Sequence, residues 1–567
     1  MQYNSYPLNT IAKVTNGKPT GNTNDNTISD ILIDSRQLIE PKRTLFFAIK
    51  SQRNDGHKYI GELYKKGVRA FVVSQQPDTD AMPEATFIVV NDTLEALQAL
   101  AAYHRSQYNI PVIGITGSNG KTVVKEWLFQ TLSHNFSIVR SPKSYNSQIG
   151  VPLSVWQIQS QNDLAIIEAG VSQTGEMQKL YNIIRPTIGI FTNIGQAHDE
   201  NFINRIQKAG EKLNLFTKVD TLIYCMDHAE IQQVIMRSGI ANNVKLLAWS
   251  RKFEEAPIFI ETEQKKQKTT EITCRYEGRR ITFEIPFTDA ASAENAMHCL
   301  ATALLLQIPD EVIKQHLAQL SPIAMRLELK SGNNNCTIIN DYYNSDINSL
   351  AIALDVMNQQ SQHSNKTVIL SDILQSGLSD DDLYGQVAFM LERKNVNNLI
   401  GIGKAITRQA AKFKPNSVFY HTVKEFLADY PISDFNKQTI LLKGARQFEF
   451  EQISKVLQEK VHETVLEINF SNLVNNLNYY RSKIKPETKL MAMVKAFSYG
   501  SGNLEVSNIL QFYNADYVTV AFADEGDLAV LDVLSPDCNY VSDDRFDLGV
   551  DFLHSRDHTS FLDALAR

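Results

Sequence analysis

The sequence predicts an α/β protein built from mainly parallel sheets covered by helices, and three observations carry that prediction. From Pro111 onward, short apolar runs alternate with helix-compatible stretches in the order PVIGIT, DLAIIEAG, TIGIFTNIG, TLIYCM and VKLLAW, the pattern of β-strands joined by crossover helices. A second series, TIIND, KTVILSD, NLIGIG and TILLKG, repeats that order further along and suits a doubly wound sheet. The segment Pro111 to Trp127, PVIGITGSNGKTVVKEW, joins an apolar run to a helix-compatible one through a glycine-bearing turn, which is the context a phosphate-cradling loop requires.

At 567 residues the chain exceeds one ordinary core, and about 150 residues per domain implies three to four. Residues 1–106 alternate ILI and LFFAI with loops, then offer a helix over Tyr59 to Gly67 and the strand RAFVVS, reading as a small α/β domain. Residues 107–322 hold the first strand series. Within them, the polar stretch Glu261 to Arg280 followed by RRITFEIPF predicts a β-hairpin appended to the sheet, and Ala290 to Leu306 predicts a closing helix. Pro322 marks a boundary, and residues 323–458 hold the second series. From Glu459, HETVLEINFSNLVNNLNYYRSKI reads as a strand and then an amphipathic helix, with the apolar run KLMAMVKA after it.

Composition narrows the function classes. The 56 basic and 63 acidic residues give a formal charge of −7, which offers no footprint for nucleic acid. The five cysteines, Cys225, Cys274, Cys299, Cys336 and Cys538, are scattered, with no pair at metal-ligand spacing, as expected of a reducing cytoplasm. The N-terminus lacks a basic region followed by an apolar run, and no stretch approaches 18 consecutive apolar residues, so neither export nor a membrane span is expected.

The phosphate loop gives the first candidate site. Gly117 and Gly120 let backbone N–H groups close on phosphates, Lys121 supplies a point charge, and the Thr122 hydroxyl suits a Mg²⁺ shell. The spacing departs from GxxxxGK[ST], because position 115 is isoleucine and Gly114 lies one residue earlier. Glu168 ends the run DLAIIE and His198 follows TIGIFTNIG, which places both beyond strand carboxyl ends, the edge where ligands bind in such sheets. A carboxylate there serves as a Mg²⁺ ligand or as an ordinary solvated loop residue. A lone histidine serves equally as a structural group, and Lys212, in AGEKLNLF, carries no meaning in isolation.

Taken in order, GITGSNGKT, SYNSQIGVP, IIEAGVSQTGEM, TNIGQAH and AGEKLNLF resemble the Mur ligase family, over roughly the first 455 residues. ILIDSRQL and DGHKYI near the start resemble the nucleotide-sugar domain of the branch that adds D-alanyl-D-alanine to UDP-N-acetylmuramoyl-tripeptide. The resemblance implies an N-terminal UDP-substrate domain, a central ATPase domain and a C-terminal doubly wound domain. It also implies an ATP-dependent ligase of peptidoglycan precursor synthesis that works through an acyl phosphate. Carried over by position, it puts Gly117, Ser118, Asn119, Gly120, Lys121 and Thr122 on the ATP phosphates, and Thr122, Glu168, His198 and Lys212 at Mg²⁺, with Lys212 carbamylated. Lys121, Lys212 and His198 are then the catalytic group. Asn295 and Arg326 would contact ATP, and Asp341, Tyr343, Asn344 and Asp346 match a nucleotide-facing loop usually written DSYNANPDS. Asp34, Ser35, Arg36, Asp55, Gly56, His57 and Asn146 would bind substrate. The chain departs from the family at Gly170, Val171 and Ser172, where GAN is usual, and at Ser371 to Gly377, SDILQSG, where GDMLELG is usual. A milder departure is Lys443 to Arg446, KGAR in place of KGSR.

Residues 459–567 carry a second resemblance. LEINFSNLVNNLNYYRSKIKPETKLMAMVKAFSYGSG is similar to the start of the alanine racemase family, with Lys495 at the lysine that binds pyridoxal phosphate and Tyr499 at the tyrosine that reaches its phosphate. The likeness fades after about Leu531, and Val461 to Arg567 is less than half of the ~250 residues of a (β/α)₈ barrel. The expectation is an incomplete barrel start that binds pyridoxal phosphate only in a complete version and does not racemise alanine as it stands. Two other readings stay open at this point. One is a different amino-acid ligase of the same superfamily, against whose folylpolyglutamate branch Asp34 to Arg36 and DGHKYI speak; the other is a degenerate nucleotide-binding scaffold.

Overall fold

The computed structural model describes residues 5–22, 27–38, 40–51, 54–142, 144–195, 201–323, 326–343, 345–360, 362–374 and 376–459. Beyond these it describes 470–481, 483–485, 488–494, 498, 506–507, 509–510, 513, 515–520 and 539–542. His198, Asn344, Lys495 and Tyr499 lie outside the described residues. Contacts divide the chain at Thr93/Leu94 and again at Val461/His462.

Residues 94–461 hold two sheets. The first has nine described strands in the order Arg279–Ile285, Thr270–Tyr276, Ile258–Lys265, Lys245–Ser250, Thr221–Cys225, Ile188–Phe191, Val112–Thr116, Leu164–Glu168 and Ile138–Arg140. Pairing is parallel from Ile258–Lys265 through Ile138–Arg140 and antiparallel to the remaining two strands. The appended hairpin is therefore part of a three-stranded antiparallel extension, its central strand burying every second residue. That alternation marks a half-solvated sheet, whereas the strands under helices are buried throughout.

Side-chain alternation sorts the central strands onto two cores. Ile113, Ile115, Leu164 and Ile166 pack with Val124, Trp127 and Leu128 of the helix Lys121–Leu132 and with the helix Ala290–Leu305. Val112, Ala165 and Ile167 point the other way, into the core with Leu180, Leu215 and Phe216. Gly114 belongs to this second face, where an added Cβ would lie 2.9 Å from Cβ of Pro186 and 3.5 Å from a Leu215 methyl. The absence of a side chain lets that loop seat directly on the strand. The same period of two makes Glu168 face the helix Lys121–Leu132, since it shares a face with Leu164 and Ile166.

The second sheet runs Glu328–Gly332, Cys336–Asp341, Gln438–Lys443, Asn365–Ser371, Asn398–Ile402 and Val418–Tyr420. It is parallel except at its first pair. Ile339, Val368, Leu370 and Leu441 pack under the helices Ile347–Gln359 and Asp380–Arg393. Ile338, Ile369, Ile440 and Leu442 pack on the opposite face with Phe426 and Ile453, giving the doubly wound arrangement.

The helix Thr93–Ser106 is continuous with the first segment in sequence, but from Leu94 onward it belongs with residues 94–461. His104 bonds the carbonyl of Ile158 and Arg105 donates to the carbonyls of Ile184 and Arg185. Ahead of it lies a sheet ordered Lys18–Gly21, Thr86–Val89, Ala70–Val73, Thr44–Phe47 and Asp30–Leu32. Its core is built on Phe46, Phe71 and Phe87. Near the C-terminus, Met491–Met493, Tyr517–Val520 and Asn539–Ser542 form a parallel sheet, and the helix Phe470–Arg481 precedes it.

Gly114→Ala should overpack the Pro186 contact and destabilise residues 94–461 by about 1–3 kcal/mol. The shift in urea midpoint measures it, with nucleotide binding per folded molecule unchanged.

Candidate functional site

The carboxyl ends of three adjacent parallel strands, Leu164–Glu168, Val112–Thr116 and Ile188–Phe191, meet at one edge of the nine-stranded sheet. The chain leaves Val112–Thr116 toward one side of the sheet and returns later to its other side, so this edge is a switch point of the kind that opens a ligand crevice. A cavity of about 190 Å³ lies there, lined by the whole turn from Gly117 to Thr122 together with Asn146, Gly170, Val171, Ser172, Lys212, Arg326 and Tyr343.

The turn is held from the next loop. Ser118 N–H donates to the Asn193 carbonyl and Asn119 N–H to its side-chain oxygen, both at 2.9 Å. The Thr192 hydroxyl donates to the Asn119 carbonyl at 2.6 Å. A Cβ on Gly117, whose φ is +151°, would lie 1.9 Å from that hydroxyl, so only glycine admits the clamp. These bonds already engage the Ser118 and Asn119 N–H groups. The helix Lys121–Leu132 starts at Gly120, φ +82°, without a side-chain cap, so its first-turn N–H groups and positive dipole end remain for an anion.

Glu168 has no exposed surface. Its Oε2 accepts from the Thr122 hydroxyl at 3.2 Å and from the Asn146 amide at 3.4 Å. Oε1 lies 3.3 Å from Lys125 Nζ and makes no hydrogen bond. Lys125, equally buried, donates to the Ser141 carbonyl at 2.7 Å and lies 2.9 Å from Glu126 Oε1. Spacing of three places Thr122 and Lys125 on one helix face, above Glu168. Lys125 went unread in the sequence, although GKTVVK displays this spacing.

Cations crowd the same end. Lys121 Nζ donates to the carbonyls of Gly117 and Ser118 at 2.7 and 3.0 Å. Burial pushes its amine down to about 8; Glu168 and Asp346 pull it up, and Arg326 and Lys208 push it down further. Lys212, 3% exposed, donates to the Gly117 carbonyl at 3.1 Å. Burial, with Lys121 and Lys208 beside it, holds Lys212 well below the ordinary lysine range. Lys208, also missed in the sequence, donates to the Gly195 carbonyl at 2.5 Å. Arg326 donates to the Thr122 hydroxyl at 3.2 Å, and its guanidinium stands 4.6 Å from the Tyr343 ring centre.

A second cavity of about 540 Å³ shares Asn119, Gly120 and Arg326 with the first and is also lined by Trp127, Phe287, Asn295 and Asp341. The Asn295 side-chain oxygen would be 2.4 Å from a Cβ on Gly120, so it rests against the turn itself. The Asp341 carboxylate is already paired with Lys443 at 2.6 Å. Of the altered SDILQSG stretch, Asp372 accepts the N–H groups of Ala405 and Ile406; its role is to cap the helix Lys404–Arg408.

The predicted substrate residues near the start bond within their own short segments. Asp34 accepts from the backbone and guanidinium of Arg36, with 2.6 Å to Nη2, and this bonding holds its carboxyl below the usual range. His57 Nδ1 lies 2.6 Å from Asp55 Oδ1, and its Nε2 accepts the Ser74 N–H at 3.0 Å. That pair of bonds fixes the tautomer with the proton on Nδ1. A Cβ on Gly56 would come within 2.8 Å of the Ile49 nitrogen, so DGH forms a tight backbone fixture. Ser35, next to Asp34, is buried at the start of a short 3₁₀ turn. His198 and Asn344, placed here by the sequence, fall outside the described residues.

Residues 115–303 match the Mur ligase middle domain, 27–105 the Mur ligase family catalytic domain, and 468–536 the alanine racemase N-terminal domain. The UDP-N-acetylmuramoyl-tripeptide–D-alanyl-D-alanine ligase of Bacillus subtilis (strain 168) is 28% identical over 450 residues, covering 76% of this chain and 93% of that protein. The ligase of the same name from Escherichia coli (strain K12) is 24% identical over 461 residues, covering 80% and 99%. The crystal structure of MurF from Acinetobacter baumannii superposes with a TM-score of 0.70 at 22% identity, covering 80% of this chain and 99% of that one, and so shares the fold.

A phosphate placed beside Lys121 favours its protonated form, and that form is lost as pH rises through about 8. Nucleotide binding near pH 8 should therefore take up protons, and affinity should fall by up to about tenfold per pH unit above it. Calorimetry in two buffers of different ionisation enthalpy measures both effects, and Lys121→Ala should abolish the proton uptake.

Proposed function

Because this chain belongs to the Mur ligase family, with that family's catalytic and middle domains at residues 27–105 and 115–303, we propose that it joins D-alanyl-D-alanine to UDP-N-acetylmuramoyl-tripeptide with cleavage of ATP. The observation that carries this reading is the convergence of Lys121, Thr122, Lys212, Arg326 and an uncapped helix start on one cavity, with the buried Glu168 behind it. Two of the ligases that share this name align over most of the chain up to the racemase-like segment.

The chemistry asks the protein mainly for electrostatics and alignment. A substrate carboxylate attacks the γ-phosphorus of ATP, and negative charge accumulates on the transferring group. Lys121, the first-turn N–H groups of Lys121–Leu132 and the Arg326 guanidinium are positioned to offset it. The dipeptide amine then displaces phosphate from the acyl phosphate. Burial of the surroundings keeps water from the mixed anhydride.

Glu168 and the Thr122 hydroxyl fit a divalent ion: Glu168 Oε1 is buried without a hydrogen bond and Oε2 faces the Thr122 hydroxyl, a hard-oxygen set suited to Mg²⁺. When bound, Mg²⁺ supplies charge neutralisation at the phosphates. Lys212 is the candidate for carbamylation. Burial and the neighbouring Lys121 and Lys208 push its amine down, which favours the unprotonated form that attacks CO₂, and the product puts an oxygen donor among the cations. Among the described residues no helix is long and apolar enough to cross a membrane, and the proposed use of ATP and a UDP-linked substrate supports a cytoplasmic reaction.

The proposal extends to the organisation read from the sequence. Residues 1–106 would take the UDP substrate through Asp34 to Arg36 and Asp55 to His57, 107–322 would take ATP, and 323–458 would close on it. Residues 459–567 would be a racemase-like addition.

Phosphate release from ATP should require both UDP-N-acetylmuramoyl-tripeptide and D-alanyl-D-alanine; release with neither, or none with both, would sink the reading. Lys121→Ala should lower turnover by two or more orders of magnitude. Lys212→Ala should lose activity that short-chain carboxylates partly restore, and full activity of the untreated variant would remove the carbamate.

A further inference from the structure

The Thr122 side chain has one hydroxyl proton and two lone pairs to offer, and the structure uses all three. The proton goes to Glu168 Oε2 at 3.2 Å. Ser144 Oγ lies 3.2 Å from the same oxygen, and because the Thr122 proton is already committed, Ser144 is the donor in that contact. Arg326 Nη2 donates to the remaining lone pair, also at 3.2 Å. The hydroxyl that suits a divalent ion beside Glu168 is therefore saturated, and one of its two donors is a cation.

The two donors are not equivalent. The Ser144 hydroxyl is neutral and turns away by rotation about one bond. Arg326 places a full positive charge against the oxygen that a divalent ion would use, and Thr122 is only 7% exposed, so the two cations would repel with little water to screen them. Thr122, Ser144, Arg326 and Tyr343 all line the phosphate cavity, within reach of a ligand there. The Arg326 guanidinium lies 4.6 Å from the Tyr343 ring centre, with Arg446 5.7 Å from the same ring. This aromatic face holds the group by its π-system and leaves its N–H donors to change partner. The next residue, Leu327, has φ +52°, left-handed backbone that is strained for a leucine. The connection that carries Arg326 thus holds strain that a shift of the side chain and its backbone can release.

We propose that Arg326 couples divalent-ion binding to nucleotide binding, occupying the Thr122 hydroxyl until a phosphate draws the guanidinium away. The assignment rests on reading this cavity as a metal-assisted nucleotide site. A phosphate offers the guanidinium a charged, bidentate partner, stronger than a neutral hydroxyl. A divalent ion alone offers it none, so the ion and the nucleotide bind well only together. Such coupling is reciprocal: each ligand tightens the other by the same factor.

Arg326→Met and Arg326→Gln remove the charge and keep much of the side chain. Mn²⁺ titrated into protein free of nucleotide, followed by the EPR signal of the unbound ion, should bind both variants about tenfold or more tightly than wild type. Adding Thr122→Val to either variant should take that gain away. By calorimetry, the factor by which Mg²⁺ tightens ADP binding should be about tenfold smaller in the variants than in wild type. Unchanged Mn²⁺ affinity, an equal Mg²⁺ factor, or a gain that survives Thr122→Val would overturn the coupling. A wild-type protein whose ADP affinity does not respond to Mg²⁺ would overturn the metal reading of the cavity along with it.

Discussion

The nucleotide end of this protein depends on one buried charge. Glu168 closes a strand with no exposed surface, and an isolated carboxylate there would be driven to protonate or to unfold its surroundings. Lys125 answers it from the helix above, and Thr122 and Asn146 take its other oxygen. Removing one partner of such a buried pair typically costs about 3–5 kcal/mol, so the helix and strand are tied in register by charge as well as by the apolar core. The Ser141 hydroxyl, which accepts the Glu168 N–H, and the Ser141 carbonyl, which accepts from Lys125, lock the neighbouring strand's end into the same arrangement.

Around that fixed carboxylate the protein collects several cations. Lys121, Lys208 and Lys212 repel one another in a desolvated place, and Arg326 adds to the field at Lys121. The helix dipole has the same sign. Backbone carbonyls of Gly117 and Ser118 hold the Lys121 and Lys212 side chains, and carbonyls bring no net charge. The arrangement is one that polyphosphate completes, and it explains why the turn must be rigid: Thr192 and Asn193 hold it in place before any ligand arrives, so little reorganisation falls to the reaction.

The C-terminal sheet adds groups of the opposite kind. Asp341 is neutralised by Lys443, Asp372 is spent on a helix start, and Asp346 keeps one oxygen free of hydrogen bonds. Three carboxylates that follow strands of one sheet thus have three fates, set by what each one faces. The departures at SDILQSG and at Val171 and Ser172 fall on a cap and a cavity wall, leaving the charged groups in place.

Much of this was legible in the chain. Alternating strand and helix periods foretold parallel sheets, because a strand buried on both faces must be apolar throughout, and the order of strand, glycine turn, Lys-Thr and helix announced an anion site. The place of Glu168 at a strand end followed from where its apolar run stops. What the chain could not disclose were partnerships that depend on distance in space. Lys125 reads as any helix lysine until Glu168 lies beneath it, and Asn193 as a loop residue until the turn it holds is alongside. Asp341 and Asp346 look alike in NDYYNSDINS, yet a lysine 102 residues away pairs with one, while burial leaves an oxygen of the other bare. Sequence by itself determined which residue types stand at the strand ends, through periodicity and local turn chemistry; tertiary structure alone decided which charges are compensated, because compensation is a property of neighbours that the chain brings together only on folding.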